Sequence, residues 1–450
     1  MGFAGTYRFL GETAKLLATT SRSGMARCLA ALSEESVLHQ VRVQKLLAAP
    51  TEANAANPSY AEEVAALQEL GVAVERGALG FDYFVAAGRV AHGTTTDLAH
   101  KAAARLKVEV MLTRILADHY RQQNLVAWNR VEVAPADRGF VPFNGQIFSA
   151  VGFSSLDPVI RWAGKKQIHC PVVFDVPSGR CEPADVRSFH QRIERATHRG
   201  ESTIPCLGVI AARDFAPEAW KLARTYRLVT VNFRQLFGDA ALTALQEAEM
   251  LLADSDPVHA DPGHLAALLD DLKGNPVVVH IRSIAFEVLA ALALRADGWE
   301  QVGLGIDVPF VLPDAGETTR DVDVHGVRGD EARLIECKAV HAEKEVTAEE
   351  VRKFFTETVP AYMKWHRKRG DGLTKCHAEL WTTGRFSDDA VKAFAALKHG
   401  KHVSPALCTA ADIRQALPQR LCSRCGDLLA EIARHHDGKA AGGTRQVSQA

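Results

Sequence analysis

Apolar and polar positions along this chain switch between two spacings, and the switches mark out its elements. Residues 12–20, 24–32 and 35–48 read as helices. The Pro/Ala/Asn stretch 49–58 reads as a linker or long loop. Residues 60–71 carry the apolar stripe of an amphipathic helix. Residues 72–76 and 81–87 then follow as a hairpin around Gly77 and Gly80. Helices followed by a hairpin is the order of a winged helix-turn-helix, in which 60–71 would lie in the major groove. Further on, Ser283-Ile-Ala-Phe-Glu-Val-Leu-Ala-Ala-Leu-Ala-Leu294 is apolar nearly all round, as buried helices are, and Gly298-Trp299 closes it. Alternation takes over in Arg320-Asp-Val-Asp-Val-His-Gly326 and, past a short turn, in Leu334-Ile-Glu-Cys-Lys338. These predict two adjacent short strands.

A second pattern is internal. Residues 204–237 and 374–407 both run strand, Ala or Gly with Arg, Phe, helix, strand. Upstream of each stands a matching helix start, Asp185-Val-Arg-Ser-Phe189 against Glu350-Val-Arg-Lys-Phe354. Further upstream, Pro171-Val-Val-Phe-Asp-Val-Pro177 sits where Arg333-Leu-Ile-Glu-Cys-Lys338 sits in the later copy. Asp175 then falls at the place of Glu336 and Pro177 at that of Lys338. Leu156-Asp157-Pro158 is the candidate for the place of Asp323. A proline carries no ammonium, so the first copy lacks the lysine unless Lys165 or Lys166 substitutes in space.

The chemistry concentrates on the two short strands. Side chains on a strand alternate faces, so Glu336 and Lys338 point one way and Cys337 the other. Asp321, Asp323 and His325 share a face of the preceding strand. Two carboxylates and an ammonium converging there suit a hard divalent cation beside a phosphate. Mg²⁺ takes oxygen ligands and keeps several waters. Glu287 is the one carboxylate on the apolar helix, costly there unless paired or linked to a metal.

Asp321-Val-Asp323-Val together with Ile335-Glu-Cys-Lys338 resembles the PD-(D/E)xK nuclease superfamily, and within it the Mrr-type restriction endonucleases. The resemblance covers roughly residues 278–415. It implies an α/β fold of tandem restriction-endonuclease-like domains, each a mixed central sheet flanked by helices, with a mainly helical N-terminal region. The implied boundaries are 1–104 for a helical region that is a candidate winged helix, 105–240 for a degenerate nuclease-like domain, 241–277 for a helical connector, 278–436 for the nuclease domain and 437–450 for a disordered tail. The implied activity is that of a Mg²⁺- or Mn²⁺-dependent endonuclease, a deoxyribonuclease, serving restriction, defence or repair. Catalysis would rest on Glu287, Asp323, Glu336 and Lys338. Asp323, Glu336 and the backbone carbonyl of Cys337 would hold the metal.

Composition sets the frame. At 450 residues the chain is long enough for several cores, and 47% hydrophobic with 24% charged residues is ordinary for a soluble protein. Net charge is −1, so nucleic acid must be met by local patches rather than a global basic field. One candidate is Lys364-Trp-His-Arg-Lys-Arg369, with Lys364, Arg367, Lys368 and Arg369 as contacts; another is the run 192–199. No stretch has the length and apolarity of a membrane span, and no secretory signal is evident. The start Met1-Gly2-Phe-Ala-Gly-Thr6 fits a loose myristoylation pattern. Nine scattered cysteines favour a reducing cytoplasm.

Cys422, Cys425, His435 and His436 form a candidate zinc set. The thiol pair lacks a second pair at standard spacing, so a chain without structural zinc is expected. DNA is the expected partner, with RNA a second candidate, since the phosphodiester chemistry is the same. A homodimer is a candidate assembly. The alternatives are a catalytically silent nucleic-acid-binding or scaffolding protein, and an RNA-directed nuclease using the same site.

Overall fold

A computed structural model describes residues 23–434 apart from 51–57, 77–81, 87–91, 128–129, 136–137, 155–160, 164–165, 178, 200–201, 204, 254–259, 273–274, 276, 313–315, 342, 371, 399 and 418–421. The helix expected over 12–20, the myristoylation pattern, most of the 49–58 loop, Asp157, His435, His436 and the tail lie outside the described residues. The chain divides into two compact units, Met1–Gly238 and Asp239–Ala450. Both are mixed α/β.

The first unit opens with α1 (Gly24–Glu35), β1 (Val37–His39), α2 (Gln40–Leu47), α3 (Tyr60–Glu69), β2 (Val72–Arg76) and β3 (Asp82–Ala86). The hairpin read from the sequence is β2–β3, and β1 adds to the β3 edge in a three-stranded sheet. Ser59 and Glu62 form a reciprocal capping box that starts α3. The 31-residue α4 (His92–Gln122) leads to a second sheet. Its strands are β4 (Glu132–Val133), β5 (Ala150–Ser154), β6 (Cys170–Asp175), β7 (Leu207–Ala212) and β8 (Val229–Asn232), side by side in that order. The first two junctions are antiparallel and the last two parallel. Parallel neighbours need crossover connections. These are α5 (Pro183–Thr197) and α6 (Pro217–Thr225). Phe148, Val173, Phe189, Ile210 and Ala219 meet in their shared core.

The second unit begins with α7 (Asp239–Ala253), α8 (Pro262–Asp271) and α9 (Val278–Ala296). Residues 241–277 thus belong to the packed unit, because α7 and α8 both pack on α9. Asn275 accepts the Val277 N–H at 3.1 Å, and α9 starts one residue later, earlier than the 283–294 expected. Phe286, Val288, Leu289 and Leu292 on α9 are buried. Burying one such side chain is worth about 1.5–3 kcal/mol. The sheet is β9 (Gln301–Leu312), β10 (Gly316–Arg328), β11 (Glu331–Lys338), β12 (Lys375–Thr382) and β13 (Val403–Cys408). Again the first two junctions are antiparallel and the last two parallel. The crossover from β11 to β12 is α10 (Ala348–Lys353), a wide π turn over Phe354–Thr358, and α11 (Val359–Arg369). The crossover from β12 to β13 is α12 (Asp388–Ala396), and α13 (Cys422–Arg434) packs on α8 and α9.

The internal repeat is therefore one topology used twice. Both halves also carry the same two-residue parallel bridge beside the sheet, Arg180–Cys181 with Asp214–Phe215 and Glu345–Val346 with Arg385–Phe386. Among the described residues no helix is long and apolar enough to cross a membrane. None of the eight described cysteines is in a disulfide.

Candidate functional site

The second sheet forks where β10 and β11 part. Their ladder ends at Val324 and Ile335, so Asp323 and Glu336 sit just beyond the last pair. On the other side of β10 the pairing skips Asp323, opposite Gly305, whose φ of +58° bends β9 away. A fork leaves backbone groups without ladder partners. The Asp323 carboxylate answers one of them: its Oδ2 accepts the Cys337 N–H at 2.7 Å. Lys338 Nζ lies 2.7 Å from Glu336 Oε1, two residues along and on the same face, as strand alternation requires. The Lys338 carbonyl accepts from Val340, Thr383 and Thr382, which pins the end of β11.

Electrostatics at the fork are unbalanced. Burial, then the charges of Glu336, Glu287 and Asp321, push the Asp323 carboxyl well above its usual range, with Lys338 a partial offset. Burial disfavours the Lys338 ammonium, but Glu336 and Asp323 outweigh it and hold the proton more tightly than in a free lysine. Glu287, on α9, is thus within electrostatic reach of Asp323 and of the Cys337 thiol. The sequence-predicted set Glu287, Asp323, Glu336 and Lys338 is brought together. Its chemistry is an excess of carboxylate oxygen beside one ammonium, a donor set suited to a hard divalent cation. Among the described residues no three His, Cys, Asp or Glu side chains form a ready-made cage. Mg²⁺ seldom uses one, being held by one or two carboxylates and several waters.

One placement differs from expectation. His325 does not line the fork with Asp323. It turns to Tyr362 on α11, with Nδ1 at 3.1 Å from the phenol oxygen, and burial followed by His366 lowers its pKa to about 4. Asp321 is exposed. One contributor was missed: Glu350, which caps α10 through Thr347 and favours the Lys338 charge. Its only sequence signal is the capping box Thr347-Ala-Glu-Glu350.

Of the basic candidates, Lys364, Arg367, Lys368 and Arg369 are exposed on α11. Lys364 and Lys368 border a groove of about 170 Å³ walled by Phe310, Pro360 and Trp365. Arg369 stacks over Trp365 at 4.6 Å. The run 192–199 is not a solvated patch. Arg192 is 1% exposed and ion-paired with Asp175, and Arg195 donates to the Ala48 carbonyl. In the zinc set, Cys425 is buried on α13, while His435 and His436 lie outside the described residues.

In the first sheet Ser149 stands at the place of Asp323, and the 156–158 segment expected there lies outside the described residues. The β5–β6 ladder ends at Ala150 and Phe174, and Ser149 Oγ accepts the Val176 N–H at 3.2 Å, as Asp323 accepts that of Cys337. Asp175 therefore matches Glu336, and Pro177 matches Lys338.

No family model and no curated protein matches the chain. Among solved structures, a crystal structure titled protein of unknown function AF1548 is similar at 17% identity and a TM-score of 0.20. The match covers 29% of this chain and spans 58% of that protein. At that TM-score the likeness decides nothing about the fold.

Proposed function

We propose that the second unit is a divalent-cation-dependent nuclease of the restriction-endonuclease-like kind, hydrolysing phosphodiester bonds, with DNA as substrate. One observation carries the reading: Asp323, Glu336 and Lys338 lie together where the β10–β11 ladder stops, with Glu287 in electrostatic reach, and burial and the neighbouring carboxylates disfavour the charge on Asp323. Asp323 and Glu336 would hold Mg²⁺ or Mn²⁺, with the Cys337 carbonyl as a further oxygen. The bound ion would polarise the phosphate and lower the pKa of a water. The chain supplies the rest. Lys338, its charge favoured by Glu336, would stabilise negative charge growing on the phosphate. Glu287 adds a carboxylate from the helix side and orients water at the site. The cations of α11 supply phosphate contacts on the same unit.

The order helix, strand, helix, helix, hairpin at residues 24–86 supports reading that segment as a winged helix. Its α3 carries Glu62, Glu63 and Glu69 and no lysine or arginine, so it is poorly suited to enter a groove lined by phosphates. DNA contact is therefore assigned to the second unit.

The test is cleavage of labelled DNA and RNA, side by side, with and without Mg²⁺. DNA should be cut only with the ion. Lys338→Ala should lower the rate at least about 100-fold, the usual size for loss of one transition-state donor, with the unfolding midpoint unchanged. Full turnover by Lys338→Ala would sink the assignment, and cutting of RNA alone would move the substrate.

A further inference from the structure

The fork of the first sheet is built like that of the second, but something occupies it. Ser149 and Asp175 flank it from the ends of β5 and β6, and Glu109 approaches from α4 as Glu287 does from α9. Between them lies the ammonium of Lys45. Its Nζ is 3.1 Å from Asp175 Oδ1, 3.0 Å from Ser149 Oγ and 3.5 Å from Glu109 Oε2. Lys45, Asp175 and Glu109 are 4%, 3% and 7% exposed, so the three charges meet largely out of bulk solvent. Lysine is rarely buried to this degree without a set of partners.

The lysine is delivered rather than stray. It sits in the last turn of α2, and that helix is fastened to α5 by bonds on both sides. The Ser188 hydroxyl donates to the Lys45 carbonyl, and Arg195 donates to the Ala48 carbonyl just past the helix end. Arg42 pairs with Asp185, and Arg27 on α1 bridges the two helices, donating to the Leu46 carbonyl of α2 at 2.8 Å and to Gln191 of α5 at 2.7 Å. Arg192 completes the site from α5, pairing with Asp175 through one nitrogen and donating to the Ile147 carbonyl through another at 2.7 Å.

We infer that the first sheet retains a cation site whose resident cation is the chain's own Lys45 ammonium, so that the N-terminal helical segment is the plug that fills this half and keeps it from binding a metal ion. The two forks then solve one problem differently. In the second, the carboxylates of Asp323 and Glu336 lie side by side, with Lys338 paired to Glu336. In the first, Ser149 replaces one carboxylate, and Lys45 and Arg192 bring two positive charges to Asp175 and Glu109. The Asp175 carboxyl responds accordingly. Burial opposes its ionisation, but Arg192 and Lys45 outweigh burial and hold it below its usual range, opposite to Asp323. The acidity of α3 fits the same assignment, since a segment used as a plug need not present cations to DNA. This inference stands on the first unit alone and does not depend on the second being a nuclease.

An ordinary buried ion pair would predict loss of stability when Lys45 is removed and nothing more. A cation site predicts that another cation replaces it. The experiment uses the full chain carrying Asp323→Asn and Glu336→Gln, which takes the second fork out of the reading. Hydrogen exchange of residues 170–176 reports the first fork, with and without Mn²⁺. With Lys45 intact, Mn²⁺ should leave exchange unchanged. Lys45→Ala should speed exchange at least tenfold, and Mn²⁺ should reverse most of that gain. Adding Glu109→Gln should remove the Mn²⁺ response. Protection by Mn²⁺ with Lys45 present, or none with Lys45→Ala, overturns the inference. If Lys45→Ala does not fold, Lys45→Met is compared with Lys45→Met/Glu109→Gln. The second change should recover at least half of the lost protection on a logarithmic scale, whereas simple additivity of the two substitutions would overturn the inference.

Discussion

Asp323→Asn should make the second unit more stable when metal is chelated, and less able to gain from metal. The aspartate is crowded by Glu336, Glu287 and Asp321, and burial adds to the cost of its charge. Asparagine keeps an oxygen to accept the Cys337 N–H, which Asp323 Oδ2 takes at 2.7 Å. What disappears is the charge. Two like charges about 4 Å apart repel by about 4 kcal/mol at an effective dielectric of about 20. The attraction of Lys338 is lost with it, and partial exposure screens both, so a net gain of about 1–3 kcal/mol is expected. For a unit of this size that is a rise of about 2–12 °C in Tm. The sign with pH follows from the direction of the shift. A raised carboxyl pKa weakens the fold wherever the group is ionised, so the asparagine advantage grows as pH rises above the ordinary carboxylate range and fades on acidification. Adding Mg²⁺ should reverse the comparison, because only the wild type gains binding energy, about 2.7 kcal/mol at a hundredfold excess over Kd. Thermal unfolding in chelator and in Mg²⁺, with a probe in the second unit, measures both. An asparagine variant that is clearly less stable in chelator, or that gains as much from Mg²⁺ as the wild type, refutes the reasoning.

Asp175→Ala should leave cleavage by the second unit intact while destabilising the first by about 3–5 kcal/mol, since two buried cations lose a partner; a urea midpoint for the first unit that does not move would contradict the network described. Neutralising Lys364, Arg367, Lys368 and Arg369 together should flatten the dependence of DNA affinity on salt, because fewer counterions are released on binding. An unchanged slope would put the DNA surface elsewhere. Burial lowers the His39 imidazole from 6.5 to about 3, so the fold holds it neutral. The first unit should keep its full stability above pH 6.5 and lose up to about 1.4 kcal/mol per pH unit below that, down to about pH 3. His39→Gln should flatten that portion of a stability-against-pH curve, and an identical curve would show that His39 does not drive it.

The second fork was legible because its residues are local. Glu336 and Lys338 share a face by alternation alone, and Asp323 lies on the strand just before them. Glu287 was legible for a different reason: a single carboxylate on an otherwise apolar helix needs a partner. The order of elements in the first half was legible through its correspondence with the second, since strand, helix and strand recur in the same order. Its site was not. A serine at position 149 announces no chemistry, and the acidic 156–158 segment drew the assignment instead. Lys45 comes from a helix far upstream, and nothing in its neighbours Gln44 and Leu46 shows that it ends among carboxylates.

Arg192 is buried although its side-chain type suits a solvated surface. Asp185, Ser188, Phe189, Arg192 and Ala196 recur at three- and four-residue steps along α5, and all are buried. That is one helix face, and Arg192 belongs to it by position. Ranking it by side-chain type placed it in a solvated basic patch with Arg195 and Arg199. Ranking it by position would have turned it inward, and a buried guanidinium demands a carboxylate. The carboxylate in reach is Asp175, the residue the repeat had already singled out. A charged residue on an apolar face is thus better read as half of a pair. In this chain that half lies at the fork of a sheet in both units: Arg192 and Lys45 meet Asp175 in the first, and Lys338 meets Glu336 beside Asp323 in the second.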